Sequence, residues 1–230
     1  MNVLLSGIVG STAYGLAREG SDIDRLGVFA APTESLHGLH APKESHVTTR
    51  PDRTLHEAAK WCRLALGGNP TVTELVWLPD ELYDVRTPLG DELIGIRGSL
   101  LSAKRVRDAY LGYATQQFKR LYDRGDGSFS ADTRKRTAKH ARHLMRLCHQ
   151  GFEVYATGRL NVRVDDPDAY HRFGDEVAAD AMRALPMLKR FESLFDETRS
   201  PLPDQPDEAP AEAWLRRVRA SFYGRPRAGA

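Results

Sequence analysis

The sequence predicts an α+β fold in which short strands open the chain and long helices follow. Before Pro88, short apolar runs alternate with glycine and proline breaks, a pattern typical of strands joined by turns. After Pro88, apolar residues recur at three- and four-residue steps over long stretches, which is typical of amphipathic helices. A chain of 230 residues that is 41% hydrophobic is large enough to bury a packed core of this kind.

The first fifty residues predict three strands. Residues 2–9 form a short apolar run that ends at Gly10, and residues 22–30 supply β-prone and apolar positions before Pro32. Residues 46–49 predict the third strand. A glycine-rich connection joins the first two, so the chain opens as strand, connection and strand.

The remaining elements are predicted as helices. Residues 55–66 carry apolar side chains on one helical face, and the sequence Gly-Gly-Asn-Pro that follows should end this helix. Two longer helices are indicated by the apolar stripes Val106, Tyr110, Ala114, Phe118, Leu121 and Ala141, Met145, Cys148, Phe152, Tyr155. Residues 174–195 predict a further helix. Residues 199–230 predict a proline-rich, loosely held and partly disordered tail that includes a short amphipathic piece around Trp214.

Composition narrows the classes of function. The apolar runs are too short for a membrane span and no secretory leader is evident, so we expect a cytoplasmic protein without a membrane partner. The two cysteines, Cys62 and Cys148, lie in helical patterns and indicate core thiols, not a zinc site or a disulfide. The net charge of +2 conceals a basic middle: residues 100–163 contain 14 Lys and Arg against 5 Asp and Glu. Such asymmetry is expected of a protein that holds a polyanion.

Two carboxylates lie close together at the start of the second predicted strand. If Asp22 and Asp24 begin that strand, its two-residue period places both on one face and Ile23 on the other, against the core. Converging carboxylates favour a counter-cation, and hard oxygen ligands suit Mg²⁺ or Mn²⁺. Because Mg²⁺ usually takes few protein carboxylates and completes its shell with water and phosphates, a nucleoside triphosphate is the indicated ligand.

The glycine-rich connection supplies groups that suit phosphate. Gly10 and Ser11 follow the first strand, so backbone N–H groups together with the Ser11 and Thr12 hydroxyls can receive phosphate oxygens. The spacing matches neither a Walker A motif nor a dinucleotide fingerprint. The plainer alternative is an ordinary turn with Asp as a cap. A haloacid-dehalogenase-type phosphatase is disfavoured, because its Asp-x-Asp ends a buried strand whereas this pair begins one.

The order of these parts resembles the core motif of the polymerase-beta superfamily of nucleotidyltransferases. Here it is GS-TAYGLAREG-SDID-RLGVF. Together with AAKWCRLALGGNPTVTELVW, SAKRVRDAYLGYATQQFKRL and KHARHLMRLCHQGFEVYATGRLNVRV, it looks like the predicted nucleotidyltransferases associated with RNA-repair operons. These segments follow one another in the same order from Leu4 to Val164.

The resemblance implies a mixed β-sheet flanked by helices, with a two-metal site, in a catalytic core over residues 1–98. A helical domain over residues 99–198 would close over the active site. It also implies transfer of a nucleoside monophosphate from a nucleoside triphosphate, with ATP as one candidate, to an acceptor hydroxyl, releasing pyrophosphate.

The resemblance assigns roles to individual residues as well. Asp22 and Asp24 would bind the metal ions, and a third carboxylate from a neighbouring strand would activate the attacking hydroxyl. Asp52 is the candidate for this third carboxylate; its alternative is an N-terminal cap of the helix predicted over residues 55–66. Glu57 and Glu74 are weaker acidic candidates, each better suited to capping or to an ion pair.

The basic residues of the middle region could bind several kinds of ligand. Lys135, Lys139, Arg142 and Arg146 make one helical stripe, which suits the triphosphate, a nucleic-acid backbone or a solvated face. Lys139 is taken as a nucleotide-binding candidate, and the resemblance adds Lys104 and Arg105. His140 and His143 have metal-ligand spacing but no nearby third ligand, so ordinary helix surface is expected.

The acceptor is left open at this stage. An RNA or DNA end, a protein hydroxyl, as in an adenylylating toxin or antitoxin, and a small molecule all suit the same site. A different class of function is a catalytically weak nucleotide- or RNA-binding module. We expect Asp52 to lie near Asp22 and Asp24 in the enzyme and to face solvent in the binding module.

Overall fold

The computed structural model describes residues 1–122 and 131–224, and it divides into two compact units. The first contains Met1–Leu101 together with the chain from Pro206 onward, and the second contains Ser102–Gln205. The first unit holds all the strands of the described chain, whereas the second is helical.

The first unit is built on a mixed five-stranded sheet. Its strands are β1 (Asn2–Val9), β2 (Asp24–Ala30), β3 (Ser45–Thr49), β4 (Asp52–Glu57) and β5 (Tyr83–Arg86), in the spatial order β3-β4-β2-β1-β5. Strands β2 and β4 are parallel, and the other neighbouring pairs are antiparallel. The predicted α+β class with a mixed sheet and a following helical region is therefore confirmed.

Strands β1 and β2 lie at the centre of this sheet because their side chains are apolar on both faces. Leu4 and Leu5 of β1 are buried, as are Val28 and Phe29 of β2. Strands that are covered on both sides carry continuous apolar runs, in contrast to the alternating pattern of half-exposed strands. The central position of β1 and β2 fixes the polar residues that follow β1 and precede β2.

The helix predicted over residues 55–66 is wrong in its first turn. Residues Asp52–Glu57 form β4, which runs parallel to β2 with Leu55 opposite Gly27. The helix α2 begins only at Ala58 and ends at Leu66. The apolar residue at position 55 fits a buried strand as well as a helical face, and pairing with β2 decides in favour of the strand.

The first unit contains four further helices in its described part. They are α1 (Gly10–Tyr14), α3 (Pro70–Thr73), α4 (Pro88–Gly95) and α9 (Glu208–Ser221). The first unit also contains 3₁₀ turns at Thr33–His37, Glu74–Trp77, Asp80–Leu82 and Arg97–Leu100. The predicted end of α2 is confirmed, since Gly67 caps it and Gly68 follows with φ of 75°.

The predicted loose tail is wrong over residues 208–224. Helix α9 packs into the first unit through Trp214, which is fully buried and donates its indole N–H to the carbonyl of Leu89 at 2.8 Å. Arg217 of the same helix pairs with Glu92 of α4. Proline-rich composition before a helix indicates only the linker, whereas the buried Trp214 fixes the helix itself. The last six predicted tail residues, 225–230, lie outside the described residues.

The second unit consists of α5 (Ala103–Tyr122), α6 (Ala131–Thr157), α7 (Pro167–Ala179) and α8 (Leu185–Glu197). The apolar stripes of α5 and α6 form its core, as predicted. The single helix predicted over residues 174–195 is instead α7, a 3₁₀ turn and α8. Asp180 interrupts it with an extended backbone, and its side chain accepts a hydrogen bond from the N–H of Met182. The apolar pattern alone would continue the helix past residue 179. The Asp180 carboxylate instead caps a new turn, and α7 ends there.

Candidate functional site

The glycine-rich connection and the Asp-x-Asp pair meet at one end of the β1–β2 ladder. The last paired residues of this ladder are Val9 and Asp24. Gly10, the next residue of the chain, has φ of 70°, a left-handed conformation that favours glycine. A Cβ at this position would lie 3.2 Å from Cγ of Asp24 and closer still to Oδ2 of the same carboxyl group. Both the backbone conformation at position 10 and the contact with Asp24 therefore favour glycine at this position.

The connection after Gly10 is folded tightly by its own backbone. The N–H of Leu16 donates to the carbonyl of Ser11 at 2.8 Å, and the N–H of Gly15 donates to that of Thr12. Ser11 and Thr12 themselves are half-buried. Their hydroxyls lie in the turn that immediately follows Gly10, beside the contact between Gly10 and Asp24.

Asp22 lies outside the strand that was predicted to contain it. Strand β2 begins at Asp24, because the chain opposite turns into α1 after Val9 and leaves no strand for residues 22 and 23 to pair with. Asp22 is exposed, and Ile23 is 47% exposed instead of packing in the core. The prediction that Ile23 faces the core is therefore wrong, and the two-residue period of a strand does not orient Asp22.

Asp52 occupies the first position of β4, opposite Thr49 of β3. Asp24 and Asp52 directly precede Arg25 and Arg53, which are paired across the parallel strands. Residues in the same register of neighbouring strands point to the same face, so Asp24 and Asp52 begin their strands on a common face of the sheet. Asp52 is exposed, as expected for the first residue of a strand at a turn.

The donor set suits a hard cation in its chemistry. Asp22, Asp24 and Asp52 offer carboxylate oxygens, and Mg²⁺ needs only one or two of these from a protein. Within the described ranges, no three His, Cys, Asp or Glu side chains converge closely enough to hold an ion by themselves. The assignment of Asp22, Asp24 and Asp52 as metal ligands stays a prediction.

Glu57 has a structural role in the first unit. Its carboxyl group accepts a hydrogen bond from the N–H of Ala59 and thereby caps α2, at a distance of 2.8 Å. Arg219 of α9 also binds both carboxyl oxygens, with N–O distances of 2.5 and 3.0 Å. Glu57 thus takes the capping and ion-pair role predicted for it, and the cap proposed for Asp52 is formed by Glu57 instead.

A buried hydrogen bond holds the glycine-rich connection from its far side. The hydroxyl of Tyr14, the last residue of α1, donates to Oε2 of Glu74 at 2.7 Å. Glu74 is 1% exposed and lies in the 3₁₀ turn that follows α3. The sequence did not reveal this pair, because 60 residues separate its members. The one local signal for this contact was the position of Tyr14 between small residues, close to the Gly10-Ser11 pair.

The three basic candidates lie in the second unit. Lys104 is exposed at the start of α5 and pairs with Asp108 at 2.6 Å, one helical turn away. Arg105 is its exposed neighbour, and Lys139 is exposed on α6. Their proposed contacts with phosphate stay predictions.

The stripe predicted on α6 is wrong at Arg146. This side chain is 2% exposed and donates to Oε1 of Gln150 at 2.7 Å. Gln150 in turn donates to the carbonyls of Asn161 and Val162, so Arg146 belongs to an internal polar network. A buried charge requires such hydrogen-bond partners. Helical spacing alone does not show whether the last residue of a stripe is exposed to solvent or buried against a neighbouring helix.

His140 and His143 are not simple surface residues, contrary to expectation. His140 Nδ1 donates to Oε1 of Gln117 at 2.8 Å, and Nδ1 of His143 accepts from Arg146 at 3.1 Å. Burial, aided by nearby cationic side chains, lowers the pKa of His143 to about 3. His143 is therefore neutral at physiological pH and adds no charge to α6.

None of the described helices is both long and apolar enough to cross a lipid bilayer.

A protein-family model matches most of the chain. No curated protein matches the chain. A family model described as RNA repair pathway DNA polymerase beta family matches residues 1–200, which include all of β1 to β5, the glycine-rich connection and the Asp-x-Asp pair. This match covers most of the chain and agrees with the resemblance found in the motifs. The chain belongs to the RNA repair pathway DNA polymerase beta family.

Proposed function

We propose that this protein is a metal-dependent nucleotidyltransferase that moves a nucleoside monophosphate from a nucleoside triphosphate to an acceptor hydroxyl. The acceptor oxygen forms a bond to the α-phosphorus, and the bond between this phosphorus and the bridging oxygen to the β-phosphate breaks. Pyrophosphate leaves with that oxygen, and the hydroxyl proton passes to a base. Family membership makes this class of reaction the first to test.

The observation that carries the proposal is the contact between Gly10 and Asp24. A carboxylate would repel a triphosphate unless a cation lay between them. The Ser11 and Thr12 hydroxyls, which can donate to phosphate oxygens, follow Gly10 directly. A phosphate-binding turn packed against a carboxylate is thus most easily explained by a phosphate and a cation bound together.

Each candidate residue has a stated task in this proposal. Asp22 and Asp24 bind Mg²⁺ or Mn²⁺, which supplies charge neutralisation at the phosphates and a lowered hydroxyl pKa when bound. Gly10, Ser11 and Thr12 hold phosphate oxygens, and Asp52 accepts the proton of the acceptor hydroxyl. Asp52 suits that task because it begins its strand on the same face as Asp24.

The acceptor we propose is the hydroxyl end of an RNA. The description of the family names an RNA repair pathway, and the basic middle of the chain suits a polyanionic acceptor. Lys104, Arg105 and Lys139 are assigned to phosphate groups of the substrates in this proposal.

A nucleotide- or RNA-binding module of weak activity is the second candidate. The exposure of Asp52 and the absence of a three-carboxylate cluster from the described chain favour it. Such a module would bind a triphosphate without releasing pyrophosphate.

The test is a labelling screen with Mg²⁺, each α-labelled nucleoside triphosphate and separate RNA, DNA and protein acceptors. The enzyme is expected to label RNA and to release pyrophosphate in equal amount. Binding of nucleotide without label on any acceptor supports the module and contradicts the enzyme.

A further inference from the structure

A group of basic side chains forms where α5 and α6 pack against each other in the second unit. A hydrogen bond of 2.8 Å between His140 and Gln117 joins the two helices, and the Gln117 side chain is 5% exposed. Arg120 lies one turn beyond Gln117 on α5, and Lys139 directly precedes His140 on α6. This hydrogen bond therefore places the turn of α5 that carries Arg120 beside the turn of α6 that carries Lys139.

Electrostatics agrees with this placement. Burial is the main cause of the low pKa of His143, and the charges of several side chains lower it further. These are Arg146, His140, Lys139 and Arg120. Arg120 and Lys139 act on the same imidazole from two helices, which agrees with the placement that the hydrogen bond between His140 and Gln117 gives them.

The carboxylates that the structure describes on α5 and α6 lie far along these helices from this group. The described part of α5 contains one acid, Asp108, which pairs with Lys104. The side chains described on α6 include one acid, Glu153, which binds Asn161. At 1.5 Å per residue, these acids lie about 18 Å and about 21 Å along the helices from Arg120 and Lys139, beyond the Debye length of about 10 Å at 0.1 M salt.

Two further cations extend the group. Lys119 adjoins Arg120 on α5, and Lys135 lies one turn before Lys139 on α6; both are exposed. The α5–α6 basic patch consists of Lys119, Arg120, Lys135 and Lys139. In the described part of the chain, none of the four forms an ion pair.

We propose that the α5–α6 basic patch binds the phosphodiester backbone of single-stranded RNA. The inference deepens the proposed function, because it gives the RNA acceptor a binding surface in the second unit. Exposed cations that repel one another are stabilised by a ligand with regularly spaced negative charges. Arg120 supplies a planar guanidinium for two-oxygen contact with a phosphate, and the lysines supply point charges. No base-reading group is involved, so recognition is independent of sequence.

The test measures binding by fluorescence anisotropy, with the full chain, a labelled single-stranded RNA and EDTA, and without nucleotide. A variant that combines Arg120→Gln and Lys139→Gln is compared with the control Lys189→Gln and Arg190→Gln, which removes the same charge from exposed positions of α8. Salt is varied from about 50 to about 200 mM. Unfolding temperature confirms that both variants fold.

We expect the patch variant to bind about tenfold or more weakly and the control to bind as the unaltered protein does. The slope of log K against log salt should fall by about 1.4, since each contact with a single strand contributes about 0.7. Equal binding of DNA of the same sequence supports the backbone contact.

An unchanged affinity in the patch variant overturns the proposal, as does an equal loss in the control. Binding of anionic vesicles without binding of RNA also overturns it. Because this assay contains neither metal nor nucleotide, its outcome is independent of whether the protein transfers nucleotides.

Discussion

Gly10 and Asp24 lie in contact at the end of the β1–β2 ladder, where the carboxyl group of Asp24 occupies the space that a Cβ of residue 10 would need. The two residues come from motifs that are separate in the sequence, and the antiparallel pairing of Val9 with Asp24 brings them together. The left-handed φ of Gly10 turns the chain away from the sheet at this point. The same strand pairing thus brings together Gly10, which begins the proposed phosphate-binding turn, and Asp24, the proposed metal ligand.

Gly10→Ala should abolish most nucleotide transfer. The new Cβ would displace the Asp24 carboxyl group, and a non-glycine residue at positive φ costs about 1–2 kcal/mol. Gly20→Ala is a matched control, because Gly20 also has positive φ but a Cβ at that position would meet no atom within 4 Å. Initial rates of transfer and unfolding temperatures are compared. Equal activity losses in the two variants would show that strain alone, not displacement of Asp24, is responsible.

Tyr14→Phe should raise the KM for nucleotide and speed amide exchange in residues 11–16. Loss of the hydrogen bond to Glu74 costs about 1.5–3 kcal/mol if that carboxyl group is charged, and it frees the far side of the glycine-rich connection. Thr33→Val is the control, because it removes a hydroxyl hydrogen bond to the carbonyl of Arg219 that involves neither Glu74 nor residues 11–16. Hydrogen exchange followed by mass spectrometry is the measurement. Unaltered exchange in residues 11–16 would exclude a positioning role for Tyr14.

Arg219→Gln should lower the free energy of unfolding by about 3 kcal/mol. The substitution leaves the buried Glu57 carboxyl group without its charged partner and detaches the end of α9 from α2. Arg216→Gln on the same helix removes an exposed pair with Glu212 and should cost about 0.5 kcal/mol or less. Urea unfolding measures both. Similar values for the two variants would mean that α9 contributes no buried ion pair to the first unit.

Both cysteines should resist modification in the folded protein. Burial raises the pKa of the Cys62 and Cys148 thiols to about 12 in each case. At pH 8 about one thiol in 10⁴ is then ionised, and the thiolate is the reactive form. An aromatic disulfide reagent should react slowly with native protein and with both thiols after denaturation. Rapid reaction of the native protein would contradict the burial of these residues.

The elements that the sequence predicted well are those with a long, consistent apolar period. Strand β1 and helices α5 and α6 belong to this group, and their stripes form the cores of their units. Strand β4 was missed because Leu55 suits either period, and its partner β2 lies distant in the chain. Helix α9 was predicted only as part of a loose tail, because buried side chains such as Trp214 and ion pairs with distant residues hold it, and composition does not report such contacts.

The candidate site was predicted in part, for a related reason. The Gly-Ser pair and the Asp-x-Asp pair carry a recognisable local spacing, so their residues were found. Their orientation depends on where the ladder ends, and this end places Asp22 and Ile23 outside β2. The contact between Tyr14 and Glu74 and that between Glu57 and Arg219 join distant parts of the chain, for which local spacing gives no signal.

The most direct test of the account follows the two ends of the triphosphate with ATP labelled at either the α- or the γ-phosphorus, Mg²⁺ and an RNA acceptor. We predict that the α-label moves to the RNA and the γ-label appears in pyrophosphate. Asp22→Asn and Asp24→Asn should each reduce transfer by about 10²-fold or more, whereas Asp80→Asn, an exposed carboxylate of the same unit, should not. Transfer of the γ-label to RNA, or full activity of Asp24→Asn, would contradict the account.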